Sequence, residues 1–285
     1  MTVQFKATSM AVGLGLISAI AAASSAEAFT FNFDNGNWTH GNQTSVGWLD
    51  GATSGSTTVG GITLSVNSTV FGGAQANENN LRDTTSQGTI GFRLGNEQDT
   101  AIYRGGNLSA YQRLDFEFST AVNLGDFIIG DIDTNDLATG FVDAVAVEGF
   151  NGSAGAIGTG LGAVYSFAQQ TTLTTESIAT ENGEIDFVVR DVEQFGLQNS
   201  RSVDTDDAYI SFDSPIRSFS IYYFNDALRK NGVESIAGNQ AVNLFEGNGV
   251  SGFTATEAAP EPFSMIGGGL ALALGGLARR RSKKG

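Results

Sequence analysis

The 285-residue chain has no cysteine, which excludes disulfides and a thiolate acting as nucleophile or metal ligand. It has one histidine, His40. A zinc centre or a Ser-His-Asp triad would have to use that residue, and no G-x-S-x-G stretch supplies a serine elbow. Carboxylates are plentiful, but a glycosidase needs two at a set separation, and spacing along the chain pairs none. The expectation is a protein that is not an enzyme. Proline is scarce: Pro215, Pro260 and Pro262 are the full set, so no proline-rich linker divides the middle of the chain.

Positive charge is also scarce, with 15 basic residues against 30 acidic. Lys6 stands alone near the start, and five basic residues crowd into 279–284. Between 29 and 259, nine basic residues face 28 acidic ones, a net charge of −19. Such a surface repels phosphate, so a nucleic acid is not an expected partner.

The N-terminus reads MTVQFKATSMAVGLGLISAIAAASSAEAF. Lys6 precedes a short apolar run, and small residues end in Ala26-Glu27-Ala28. This is the pattern of a secretory signal peptide over 1–28, cut between Ala28 and Phe29.

From Phe29 the apolar pattern has period two. Phe29, Phe31 and Phe33 alternate with Thr30 and Asn32, as do Ile62, Leu64 and Val66 with Thr63 and Ser65. Leu114, Phe116 and Phe118 alternate with Asp115 and Glu117. Further runs are TIGFRL (89–94), DFIIGDI (126–132), AVAVEGF (144–150), AVYSFA (163–168), EIDFVVRDV (184–192), AYISF (208–212) and RSFSIYYF (217–224). A strand with one apolar face must cover it with a second sheet. The expected fold is all-β over 29–258, an antiparallel two-sheet sandwich of jelly-roll type. A β-solenoid is the other reading, and no fixed-length repeat supports it. GFNGSAGAIGTGLG (149–162) reads as a flexible loop, and DALRKNG (226–232) as a helical turn or loop tip.

In GDIDTNDLATGFVDAV (130–145), Asp131, Asp133 and Asn135 stand two residues apart, with Asp136 and Asp143 nearby. Calcium takes six to eight oxygen ligands, and such a loop can aim several at one ion. An EF-hand is excluded, because Asp136 replaces its glycine and Val142 its final glutamate. Two readings stand: a calcium loop between strands, or a solvated turn. Asp204, Asp206 and Asp207 could add to the same ion or solvate a loop. Trp38 and Trp48 flank the Gly/Asn-rich stretch around His40. They could stack on sugars or cover the edge of the core, and His40 itself reads as a surface loop residue.

The chain ends APEPFSMIGGGLALALGGLARRRSKKG. Residues 263–278 are uncharged, and as a helix would be about 24 Å long, marginal for a ~30 Å hydrocarbon core. Arg279, Arg280 and Arg281 would remain cytoplasmic, leaving the acidic region outside. Pro260 and Pro262 hold the approach extended, in a form a processing enzyme can bind.

Pro260-Glu261-Pro262, the apolar stretch and the arginine cluster, in that order, resemble a PEP-CTERM sorting signal over 259–285. The resemblance implies a Gram-negative bacterium and an exosortase as processing partner. It also implies transient residence in the inner membrane through 263–278 and removal of the tail near the PEP segment. The destination it implies is the cell surface or extracellular matrix, with a structural or adhesive part in exopolysaccharide or biofilm. Carbohydrate binding, or hydrolysis of a polysaccharide, are the alternative roles.

Overall fold

The computed structural model describes residues 27–49, 51–71, 82–83, 92–96, 103–104, 107–108, 111–130, 132, 142–167, 173–180, 183–191, 207–226, 228–230, 233–235, 240–245 and 252–259. Among these there is no helix. The described residues are all-β, and every ladder among them is antiparallel except a single parallel bridge between Asp226 and Tyr103.

The chain opens with β1 (Ala28–Asn32) and the hairpin β2 (Asn37–His40) and β3 (Gln43–Val46). A second hairpin joins β4 (Ser54–Val59) to β5 (Ile62–Phe71). Its two turn residues, Gly60 and Gly61, both have positive φ (57° and 85°), as a type I′ turn requires. Then come β6 (Arg82–Asp83), β7 (Phe92–Asn96), β8 (Tyr103–Arg104) and β9 (Asn107–Leu108). β10 (Tyr111–Leu124) is followed by β11 (Phe127–Gly130), β12 (Val142–Phe150), β13 (Leu161–Gly162) and β14 (Val164–Phe167). The remainder is β15 (Leu173–Thr180), β16 (Gly183–Asp191), β17 (Ala208–Ser211), β18 (Ile216–Asp226), β19 (Leu228–Lys230), β20 (Val233–Ser235), β21 (Gln240–Leu244) and β22 (Gly252–Glu257). The DALRKNG stretch therefore contributes a strand: β19 pairs with β20.

One sheet runs β15-β16-β12-β18-β10-β5-β4-β2-β3, and a smaller one runs β14-β17-β11-β21-β7-β6. β10 organises the large sheet. Its first half lies between β5 and β18; past a register shift between Glu117 and Val122, its end pairs with β22. β22 in turn carries β1.

Alternation along β10 sends Leu114, Phe116 and Phe118 inward, where each is at most 3% exposed. Both sheets contribute to one aromatic core. Phe127 of β11 meets Phe219 of β18 at 5.5 Å, and Phe116 stacks on Phe219 at 4.4 Å. Each such phenylalanine contributes roughly 1.5–3 kcal/mol by leaving water. Phe245, just after β21, has φ 61°, a conformation costly for a non-glycine residue. Its ring is buried and stacks on Phe33 at 5.2 Å, and its N–H bonds to the Ile128 carbonyl at 2.7 Å; these contacts offset the strain.

Candidate functional site

The opposite face of β10, β18 and β12 carries polar residues in register. Asp115, Ser220 and Glu148 form one cross-strand row, and Glu117 and Ser218 begin the next, which the apolar Phe150 completes. Segment 151–160 lies over these rows as a strap. Glu148 accepts from Gly158 N–H at 3.0 Å and from Gly160 N–H at 3.2 Å. Glu117 accepts from Ala154 N–H (3.1 Å), while Ser218 donates to the Gly152 carbonyl (2.7 Å). Arg113 donates to Asp115 Oδ2 (Nε, 3.0 Å; Nη2, 2.9 Å) and to the Gly155 carbonyl (3.1 Å), and Ser220 donates to Asp115 Oδ1 (2.6 Å).

The expectation of a flexible loop over 149–162 is corrected by these bonds. Phe150 belongs to β12, Leu161 and Gly162 pair with Gly149 and Glu148, and Ile157 is buried. Glycine permits the close fit: a Cβ at Gly160 would stand 2.7 Å from the Glu148 Cβ.

Burial raises the carboxyls of Asp115 and Glu148 above their ordinary values; the bonds from Ser220 and Arg113, and from the strap amides, oppose the rise. Burial, and then the charge of Glu148, push the Tyr222 phenol well up, so it stays neutral. Buried carboxylates with raised values often mark active sites. Here their acceptor oxygens are engaged by the strap and by neighbouring side chains, so the arrangement acts as a clasp that closes the outer face of the sheet.

His40 is corrected as well. It ends β2 and is only 8% exposed. Its Nε2 accepts from Leu49 N–H at 3.2 Å, which places the proton on Nδ1, donating to the Ser54 carbonyl at 2.8 Å. The imidazole thus ties Leu49 and Ser54 to the hairpin. Trp38 is fully buried, stacks on Phe33 at 4.8 Å and donates from Nε1 to the Asn32 carbonyl. Trp48 is 7% exposed and edge-on to Trp38 and His40. With both indoles in the core, neither offers a face on which a sugar could stack.

Of the calcium candidates, Asp131, Asp133, Asn135 and Asp136 lie outside the described residues, as do Asp204 and Asp206. Asp143 stands in β12 opposite Asn225. Among the described residues, no three carboxylate or imidazole groups gather as metal ligands.

The processing candidates are better placed. Ala28 and Phe29 are in β1, opposite Thr256 and Ala255 of β22. The Phe29 ring packs against Gly60 so closely that a Cβ there would overlap it. Beyond β22, Ala258 N–H bonds to the Ala121 carbonyl at 3.0 Å, and Ala259 is exposed. Ala26 and the sorting residues Pro260, Glu261, Pro262, Arg279, Arg280 and Arg281 lie outside the described residues.

No protein-family model matches this chain, and neither a curated protein nor a solved structure does.

Proposed function

We propose that the chain is an exported protein of a Gram-negative bacterium, cut before Phe29 and processed at its C-terminus by an exosortase. Its β domain, a two-sheet sandwich of jelly-roll type, then serves at the cell surface or in the extracellular polymer as a structural or adhesive element, not as an enzyme. The observation that carries the reading is the order of the tail: Pro260-Glu261-Pro262, sixteen uncharged residues, then Arg279-Arg280-Arg281. The end of the fold supports it. Among the described residues the last backbone tie is at Ala258, two residues before the tripeptide begins. The net charge of −19 between 29 and 259, from nine basic and 28 acidic residues, suits a solvated exterior surface. It also suits calcium bridging through the 131–143 loop to an anionic exopolysaccharide.

The test replaces Pro260, Glu261 and Pro262 with alanine and follows the protein in cells. Retention in the inner membrane with the C-terminal tail uncut is the expected result. Unchanged size and location would refute the sorting reading.

A further inference from the structure

We infer that two copies of this chain associate edge to edge through β3, whose outward backbone groups are self-complementary about a two-fold axis at Ser45. The pairing joins the large sheets of both copies into one, and it does not depend on where the chain is delivered.

β3 ends the large sheet, and among the described residues no strand lies on its outer side. The hairpin fixes which of its backbone groups face outward. Around the two-residue turn Gly41-Asn42, His40 is registered with Gln43, Thr39 with Thr44, Trp38 with Ser45 and Asn37 with Val46. Gly47 N–H bonds to the Gly36 carbonyl at 2.8 Å, so the hydrogen-bonded pairs of this ladder fall at Gly47, Ser45 and Gln43. Thr44 and Val46 stand between them, with N–H and C=O turned away from β2. An antiparallel copy centred on Ser45 sets Thr44 against Val46 of the second copy, and Val46 against its Thr44. Each of these two pairs exchanges two hydrogen bonds. The same edge serves both copies, so the result is a closed dimer.

This edge permits what the rest of the chain opposes. Between 29 and 259 there are 28 acidic residues against nine basic, so copies repel one another. Residues 35–49 contain no Asp, Glu, Lys or Arg. β15, at the far end of the same sheet, carries Glu176. Exposed edges are ordinarily blunted by charge, proline or a bulge, and β3 (QTSV) has none of these. Val46 is 75% exposed, more than any other large apolar residue described, and the pairing lays it beside Thr44 of the second copy. β3 has only four residues, so the contact falls short of the ~1,200–2,000 Å² of a stable dimer. Association is therefore weak and grows with local concentration.

The absence of cysteine lets a disulfide report the register. Full-length chains carrying Ser45→Cys, Thr44→Cys or Val46→Cys are purified in detergent and oxidised with diamide, which takes up the two hydrogens as two thiols join. At the axis the two copies of position 45 have Cα atoms ~4.5 Å apart, within disulfide reach. Positions 44 and 46 each lie about 8–9 Å from their own counterpart, beyond reach, but about 5.5 Å from each other across the interface. Ser45→Cys alone should therefore cross-link. Thr44→Cys and Val46→Cys, at more exposed positions, should each give at least about tenfold less dimer alone than when mixed, the mixed dimer being recognised by a mass tag on one chain. Any association through the apolar termini is common to all arms, so only the register separates them. Adding Val46→Pro to Ser45→Cys removes an outward N–H, spares the bonds to β2 and should abolish the product. Yield should rise with salt, as repulsion is screened. The mixing arm uses exposed positions and stands even if Ser45→Cys fails to fold. As much dimer from Val46→Cys alone as from the mixture, no dimer in the mixture, or a yield that falls with salt overturns the inference.

Discussion

Tyr165 offers a direct test of how the two sheets are joined. It lies on β14, in the small sheet, yet its hydroxyl accepts the N–H of Val147 in the large sheet at 2.8 Å. Strand pairing explains the need. On the side of β12 away from β18, β16 pairs with Ala144–Ala146 and β13 with Glu148–Gly149. Val147 falls in the gap between these two partners, and the phenol fills it. Burial pushes the Tyr165 phenol well above its ordinary value, so it stays neutral at any working pH. Tyr165→Phe keeps the ring and removes the oxygen, leaving a buried N–H unsatisfied. The expected cost is about 1–3 kcal/mol. At 2–4 °C per kcal/mol for a domain of this size, Tm falls by about 2–12 °C. Thermal unfolding measures this, and amide exchange at Val147 should quicken in parallel. Tyr209→Phe on the neighbouring β17 is the control; the residue is 37% exposed, and the change should stay within about 0.5 kcal/mol. A Tyr165→Phe protein as stable as wild type, with Val147 equally protected, refutes the reasoning.

The clasp should give stability a distinctive pH dependence. Asp115 and Glu148 have raised folded-state values, so the folded chain binds their protons more tightly than the unfolded chain does. Their contribution therefore increases as pH falls from neutral through the raised values, and levels off below the ordinary values of 3.8 and 4.5. Asp115→Asn lacks one of these titrations, so the stability difference between it and wild type should move in favour of wild type between pH 7 and pH 4. A constant difference across that range, measured by urea unfolding, refutes the assignment. For calcium, the chelator-treated chain titrated in a calorimeter should give binding heat and a higher Tm, about 2.7 kcal/mol of stabilisation at a hundredfold excess over Kd. Absence of both effects rejects the 131–143 loop as a site.

The strands that were legible from sequence have a large apolar residue at every second position. AVAVEGF lies within β12 and RSFSIYYF within β18, and the alternation of Leu114, Phe116 and Phe118 placed the centre of β10. The strands that escaped notice are built of Ser, Thr, Asn and Gly. β4 is SGSTTV, and β22, which closes the domain, turns only Phe253 and Ala255 inward. Their pairing comes from the backbone, which leaves little trace in composition. The β2–β3 hairpin did leave a trace. Trp38 and His40 alternate with Thr39 before Gly41-Asn42, a two-residue turn with φ 60° at its first position. Reading that stretch as a loop misplaced His40, while the tryptophans take the second of their two readings and cover the core.

The clasp was not legible for a different reason. Glu117 meets Ala154 across 37 residues, Arg113 meets Gly155 across 42, and Ser218 meets Gly152 across 66. A glycine-rich segment reads as flexible because its own residues favour no single conformation. Here order is imposed from outside, by carboxylates and a guanidinium that three strands bring into register. Asp115, Ser220 and Glu148 form a row only once β18 lies between β10 and β12. The processing sites follow the same logic. Ala26-Glu27-Ala28 and Pro260-Glu261-Pro262 are local words that a sequence can show. That the first adjoins a ladder depends on β1 meeting β22, whose residues lie more than two hundred positions away.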